Sequence, residues 1–127
     1  IYPGTGLDQQ GGSYDENADA PGLTTAATEK YRDLYITRPE DHENPYARPV
    51  IAEKHANLPP AWVHTAQHDP IRDDGEVYAD KLRAAGNDVT YRCAELMIHG
   101  FLRARALGPG GRAEFVAVVD WLKEKLA

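Results

Sequence analysis

Residues 61 to 99 run in the order strand, carboxylate, helix, strand, histidine, and that order leaves few ways to fold. Ala61-Trp62-Val63-His64-Thr65-Ala66-Gln67 is a nearly continuous apolar run, as expected of a central parallel strand buried on both faces. It leads into His68-Asp69-Pro70, where the proline stops it. A helix follows. Asp73 or Asp74 is placed to cap it, with Glu76 as the capping-box partner, and Tyr78, Leu82 and Ala85 line its inner face until Gly86 ends it. Val89-Thr90-Tyr91-Arg92-Cys93 then alternates apolar and polar, which predicts a strand near a sheet edge. Two such strands joined through a helix demand a parallel, right-handed crossover.

The flanking segments are less regular. Ile1-Tyr2-Pro3 is expected to be the tail of a buried strand, and residues 4–22, rich in Gly, Asp, Gln and Asn, a long polar loop that is functional or mobile. Thr24 or Thr25 caps a helix to about Thr37, whose Ala27, Tyr31, Leu34 and Tyr35 form one apolar stripe, expected to cover something. Prolines 39, 45, 49, 59 and 60 keep residues 38–60 irregular. A Gly-Pro-Gly-Gly turn at 108–111 opens the last helix, striped by Phe115, Val118, Val119, Leu122 and Leu126. Three strands and three helices cannot cover both faces of a sheet. The chain is therefore expected to fold poorly alone, as a fragment or as one member of a non-covalent pair. The final helix and the exposed strand near it are read as a homodimer surface.

Composition removes several function classes. A net charge of −6 and a pI near 5.3 leave no basic face for nucleic acid. No apolar run reaches the ~18 residues of a membrane span. Cys93, the only cysteine, excludes an internal disulfide and a multi-cysteine zinc site, and it suits a cytoplasmic setting. His64 and His68 do not make a metal site, since four residues along a strand separate them by ~13 Å. The chain opens on Ile1 and not on methionine, so the true amino terminus is expected to lie upstream.

The chemistry concentrates at two positions. Asp69 stands at the carboxyl end of a parallel strand, the edge where ligands bind in open α/β sheets. Pro70 biases its backbone away from the helical region and holds the turn that presents it. His99, in Met97-Ile98-His99-Gly100-Phe101, follows the next strand, so a carboxylate could fix one ring nitrogen while the other takes a proton. Phe101 is expected to wall an apolar substrate pocket beside the imidazole. His42, His55, His64 and His68 are read as surface or hydrogen-bonded structural histidines. Ser13, the only serine, lies in Gly11-Gly12-Ser13-Tyr14-Asp15, which fails the G-x-S-x-G pattern and lacks the strand-to-helix elbow of a nucleophile. A turn contact is the expected role of Ser13. Cys93 sits mid-strand and is read as a core thiol.

Taken together, Ile1-Tyr2-Pro3, Glu16-Asn17-Ala18, Asn44-Pro45-Tyr46-Ala47, Leu58-Pro59-Pro60, His68-Asp69-Pro70-Ile71-Arg72-Asp73, His99-Gly100-Phe101 and Val119-Asp120-Trp121-Leu122 resemble the carboxyl-terminal part of the hormone-sensitive-lipase-like esterases of the α/β-hydrolase fold. The resemblance runs essentially end to end. It implies one α/β domain, incomplete without upstream sequence, in which residues 1–60 give strand end, loop, helix and loop, and residues 61–127 the mostly parallel strands with flanking helices. It further implies Asp69 and His99 as acid and base of a Ser-Asp-His triad, short to medium acyl esters as substrates, and no metal or organic cofactor. The upstream half of the hydrolase, in the same polypeptide or a separate chain, would carry the serine and the HGGG-type oxyanion loop. Neither is present here, so the chain alone is expected to be inactive. Arg48 departs from the family pattern, which has a small residue there. The rival reading is a non-catalytic fragment or interaction module folding against a partner chain.

Overall fold

A computed structural model describes all residues, 1–127, of the chain. Its elements are α1 (Ser13–Glu16), α2 (Thr25–Tyr35), β1 (Ala61–His68), α3 (Arg72–Ala84), β2 (Val89–Ile98) and α4 (Pro109–Leu126), with 3₁₀ turns at Pro39–Glu43, Pro49–Ile51 and Phe101–Ala104. β1 and β2 pair in parallel, joined through α3. The sheet has two strands and not three: Ile1–Pro3 is not a strand, although Tyr2 N–H donates to the His64 carbonyl.

Alternation along the strands sorts side chains into two layers. Val63 packs with Ala79 and Leu82 of α3, and Val89 and Tyr91 of β2 join them. On the opposite face Ala66 and Ala94 pack with Phe101, while Trp62 and Thr90 meet Trp121 of α4. α3 and α4 thus cover opposite faces, as a βαβ unit requires. A third small cluster, Tyr14, Leu23 and Ile71, ties the amino-terminal loop to the start of α3. No helix is long and apolar enough to cross a membrane.

Both expected helix stripes are displaced. Tyr31, Leu34 and Tyr35 on α2 are 63–69% exposed, and the helix buries only Thr28, although Thr24 caps it as expected by accepting from Ala27 N–H at 3.1 Å. On α4, Phe115, Leu122 and Leu126 face outward, and the helix meets the sheet through Glu114 and Trp121. β2 also runs five residues beyond the expected Cys93, to Ile98. It does so through a bulge. Ala66 is level with Ala94 but His68 with Ile98, so β2 uses two residues more than β1 over that stretch. Leu96 takes a left-handed φ of 59° there, and its N–H donates to Gln67 Oε1 at 2.8 Å. The bulge brings the residue after Ile98 level with the residue after His68.

Gly75 marks the closest approach of α3 to β1. A Cβ there would stand 2.4 Å from Thr65 Cγ2 and 3.4 Å from Pro3 Cδ. Gly75→Ala gains ~1 kcal/mol of helix propensity but meets overpacking of ~1–3 kcal/mol against a buried strand side chain, so the loss prevails. The variant is expected to have a lower urea midpoint at unchanged m-value, by about 1 kcal/mol of stability.

Candidate active site

Asp69 leaves the carboxyl end of β1 fully buried, and both its oxygens are engaged. Oδ1 accepts Ile71 N–H at 3.0 Å, closing the Asp-Pro turn, and Oδ2 lies 2.8 Å from His99 Nδ1. A buried carboxylate accepts hydrogen bonds, so Nδ1 carries the proton and the neutral imidazole keeps its lone pair on Nε2. The ring's hydrogen bond within the chain is made at Nδ1 and not at Nε2, and the His99 side chain is 24% exposed. Gly100, at a left-handed φ of 81°, then turns the backbone into the Phe101–Ala104 turn.

The acid turn is held from outside. Ser13 is fully buried: its Oγ donates to the Pro70 carbonyl at 2.7 Å and accepts Asp73 N–H at 3.1 Å, while its own N–H reaches Asp73 Oδ2 at 2.8 Å. This is the loop contact expected of Ser13. Arg72 adds Glu16 Oε2 at 2.8 Å. Asp73 and Asp74 are therefore not helix caps. Asp74 reaches away from α3 into the amino-terminal loop, where Oδ1 accepts Thr5 N–H at 2.8 Å, Gly6 N–H at 3.1 Å and Leu7 N–H at 3.3 Å, and Oδ2 accepts the Tyr14 hydroxyl. Burial, then the adjacent Asp74 carboxylate, push the Tyr14 phenol well above its ordinary value, so it remains a donor. The polar loop expected to be functional or mobile is pinned over these residues.

Phe101 packs into the core beside the imidazole. It is 4% exposed, packs on Ala66 and Ala94, and has its ring centre 5.0 Å from that of His64. With His99 and Met97 it borders only a smaller cavity of about 380 Å³. The larger cavity, about 870 Å³, is bordered by His99 together with Tyr2, Leu7, Tyr14, Leu23 and Ile71. Tyr2 was not singled out from sequence; its ring centre lies 4.7 Å from that of His99, and the only signal was its place before Pro3. Cys93 is level with Thr65 in mid-strand and makes no hydrogen bond to His99.

His64 proves a buried structural histidine, its Nε2 3.0 Å from Glu114 Oε2. Arg92 grips both oxygens of the same carboxylate, with NH2 to Oε1 at 2.7 Å. His55 bonds the Pro49 carbonyl at 3.0 Å, and no three His, Cys, Asp or Glu side chains are grouped to hold a metal ion.

A carboxylate and an imidazole meeting where two parallel strands end, below a cavity, is a shared architecture as well as a chemistry. Residues 1–103 match the family model of the α/β hydrolase fold. The chain belongs to the α/β-hydrolase family. Among α/β hydrolases it is 40% identical over 102 residues to the esterase LipI of Mycobacterium tuberculosis, covering 80% of this chain and 32% of that protein. To hormone-sensitive lipase of Ictidomys tridecemlineatus it is 37% identical over 67 residues, 51% of this chain and 9% of that one. A solved fungal esterase from Rhizomucor miehei superposes with a TM-score of 0.91 at 35% identity, over 99% of this chain and 40% of the other. The chain spans about a third of the length of the first curated α/β hydrolases it matches.

The α4 junction sets an acid sensitivity. Burial, outweighing the attraction of Glu114, lowers the His64 imidazole below its ordinary 6.5. The Arg92 hydrogen bond, followed by the opposing effect of burial, leaves Glu114 below its ordinary 4.5. Each group binds protons more readily unfolded than folded, so each contribution is complete above the ordinary value and is lost as pH falls below it. The urea midpoint is expected to decline from pH 7.5 to 5.5 as His64 protonates, and further toward pH 4 as Glu114 protonates. His64→Phe, which cannot titrate, should lessen the decline over the first interval, while Arg92, the largest influence on Glu114, preserves most of the second.

Proposed function

We propose that this chain provides the acid and base of a serine-dependent carboxylic ester hydrolase acting on short to medium acyl esters. The observation that supports this most is the fully buried Asp69 oxygen 2.8 Å from His99 Nδ1, with Nε2 left free at the border of a cavity. The chain's resemblance to esterases and carboxylesterases supports the same reading.

In this reading the nucleophilic serine and the oxyanion donors reside in hydrolase sequence outside these 127 residues, since Ser13 has its hydroxyl committed at Pro70 and Asp73. His99 Nε2 takes the proton of that serine as its oxygen attacks the acyl carbon. The imidazolium so formed keeps Nδ1–H on Asp69, whose negative charge stabilises it. Collapse of the tetrahedral intermediate expels the alcohol, which leaves with the proton from Nε2. Water then repeats the sequence, giving up a proton to Nε2 while attacking the acyl-enzyme, and the serine recovers it as the acid departs.

In the hydrolase carrying this chain, Asp69→Asn and His99→Ala are each expected to lower kcat/KM for p-nitrophenyl butyrate by ~10³–10⁴-fold. Circular dichroism should show the fold retained. If both folded variants keep near wild-type hydrolysis, the assignment is wrong.

A further inference from the structure

The Asp74 carboxylate is 1% exposed and is met almost entirely by N–H and O–H groups of residues 5, 6, 7 and 14. It has no cationic partner. The same stretch of loop is gripped from its other side: the Thr5 carbonyl accepts Val50 N–H at 3.1 Å, and the Gly6 carbonyl accepts Arg48 Nε at 2.9 Å. Arg48 also reaches the His42 carbonyl at 3.1 Å and Asp8 Oδ1 at 3.1 Å. Gly6 is what admits this side chain. Its φ is +88°, and a Cβ would lie 2.7 Å from Arg48 Cβ and Cγ. Thr5 and Gly6 therefore have both backbone groups bound, and the loop is a fixed surface. That surface is a wall of the 870 Å³ cavity that His99 borders; Gly6, Leu7, Tyr14, Arg48 and Asp74 itself line it.

We infer that Asp74 is a specificity-determining positioning residue: its carboxylate holds the loop of residues 5–7 as the wall that limits the bulk of the ester presented to His99. Asp74 does not touch the reacting atoms and sits one helical position beyond the Ser13–Asp73 latch, so its effect is on the shape of the cavity and not on the acid–base pair. The substitution Asp74→Asn would set an amide N–H₂ or a single weaker acceptor against three backbone N–H groups. The wall then loosens where the substrate lies.

This inference rests on the proposed esterase reading, and the test separates the two. Steady-state kcat and KM are measured on p-nitrophenyl acetate and p-nitrophenyl hexanoate with the hydrolase carrying this chain, as wild type, Asp74→Asn, Tyr14→Phe and His99→Ala. Asp74→Asn is expected to shift the hexanoate-to-acetate ratio of kcat/KM at least ~5-fold toward the bulkier ester, mainly through KM, with the pH profile unmoved. Tyr14→Phe, which removes one donor, should shift it about 2-fold the same way. A merely structural role would reduce the folded fraction, lowering apparent kcat equally for both esters and leaving KM and the ratio alone. A ratio within ~1.5-fold of wild type in every folded variant overturns the inference, and Tyr14→Phe alone decides should Asp74→Asn not fold. Full activity in His99→Ala overturns the esterase reading instead.

Discussion

A carboxylate taken out of water must find hydrogen-bond donors, because leaving one unpaired in the interior costs several kcal/mol. The turn leaving β1 buries two of them within six residues, Asp69 and Asp74. Asp69 obtains its donors from the turn itself and from His99, and Asp74 obtains them from the backbone of residues 5–7 and the Tyr14 hydroxyl. Satisfying both draws the histidine after β2 and the amino-terminal loop into one corner. The cavity and the free Nε2 are adjacent for that reason.

The pairing of Asp69 with His99 was legible because it is topological. Parallel strands joined through a helix end on the same edge, and Pro70 and Gly100 mark where each chain turns there. Asp73 and Asp74 were misread as caps because an acidic residue at a helix start has two physical uses. It can accept from the N–H groups of its own helix, or be favoured by the dipole while its oxygens serve another segment. Only the second allows Ser13 and Thr5 to dock, and nothing local in the sequence distinguishes them.

The apolar stripes failed for a different reason. Periodicity identifies which residues share a face of a helix, but it does not say which face the sheet will meet. On α4 the sheet-facing row contains Glu114 and Trp121, because buried His64 and the edge residue Arg92 offer that carboxylate better partners than solvent does. On α2 only Ala27 of the stripe packs on the core, beside Tyr14, Leu23 and Ile71, while Tyr31, Leu34 and Tyr35 stay exposed. The full reach of β2 was hidden similarly. Glu95 and the left-handed Leu96 look like a strand ending, whereas they form a bulge within one.

That bulge adds two residues to β2, and the added length matters. Those two positions carry the chain further along the sheet, so the imidazole that follows Ile98 comes level with the carboxylate that follows His68. The strand is in effect a ruler with a built-in offset.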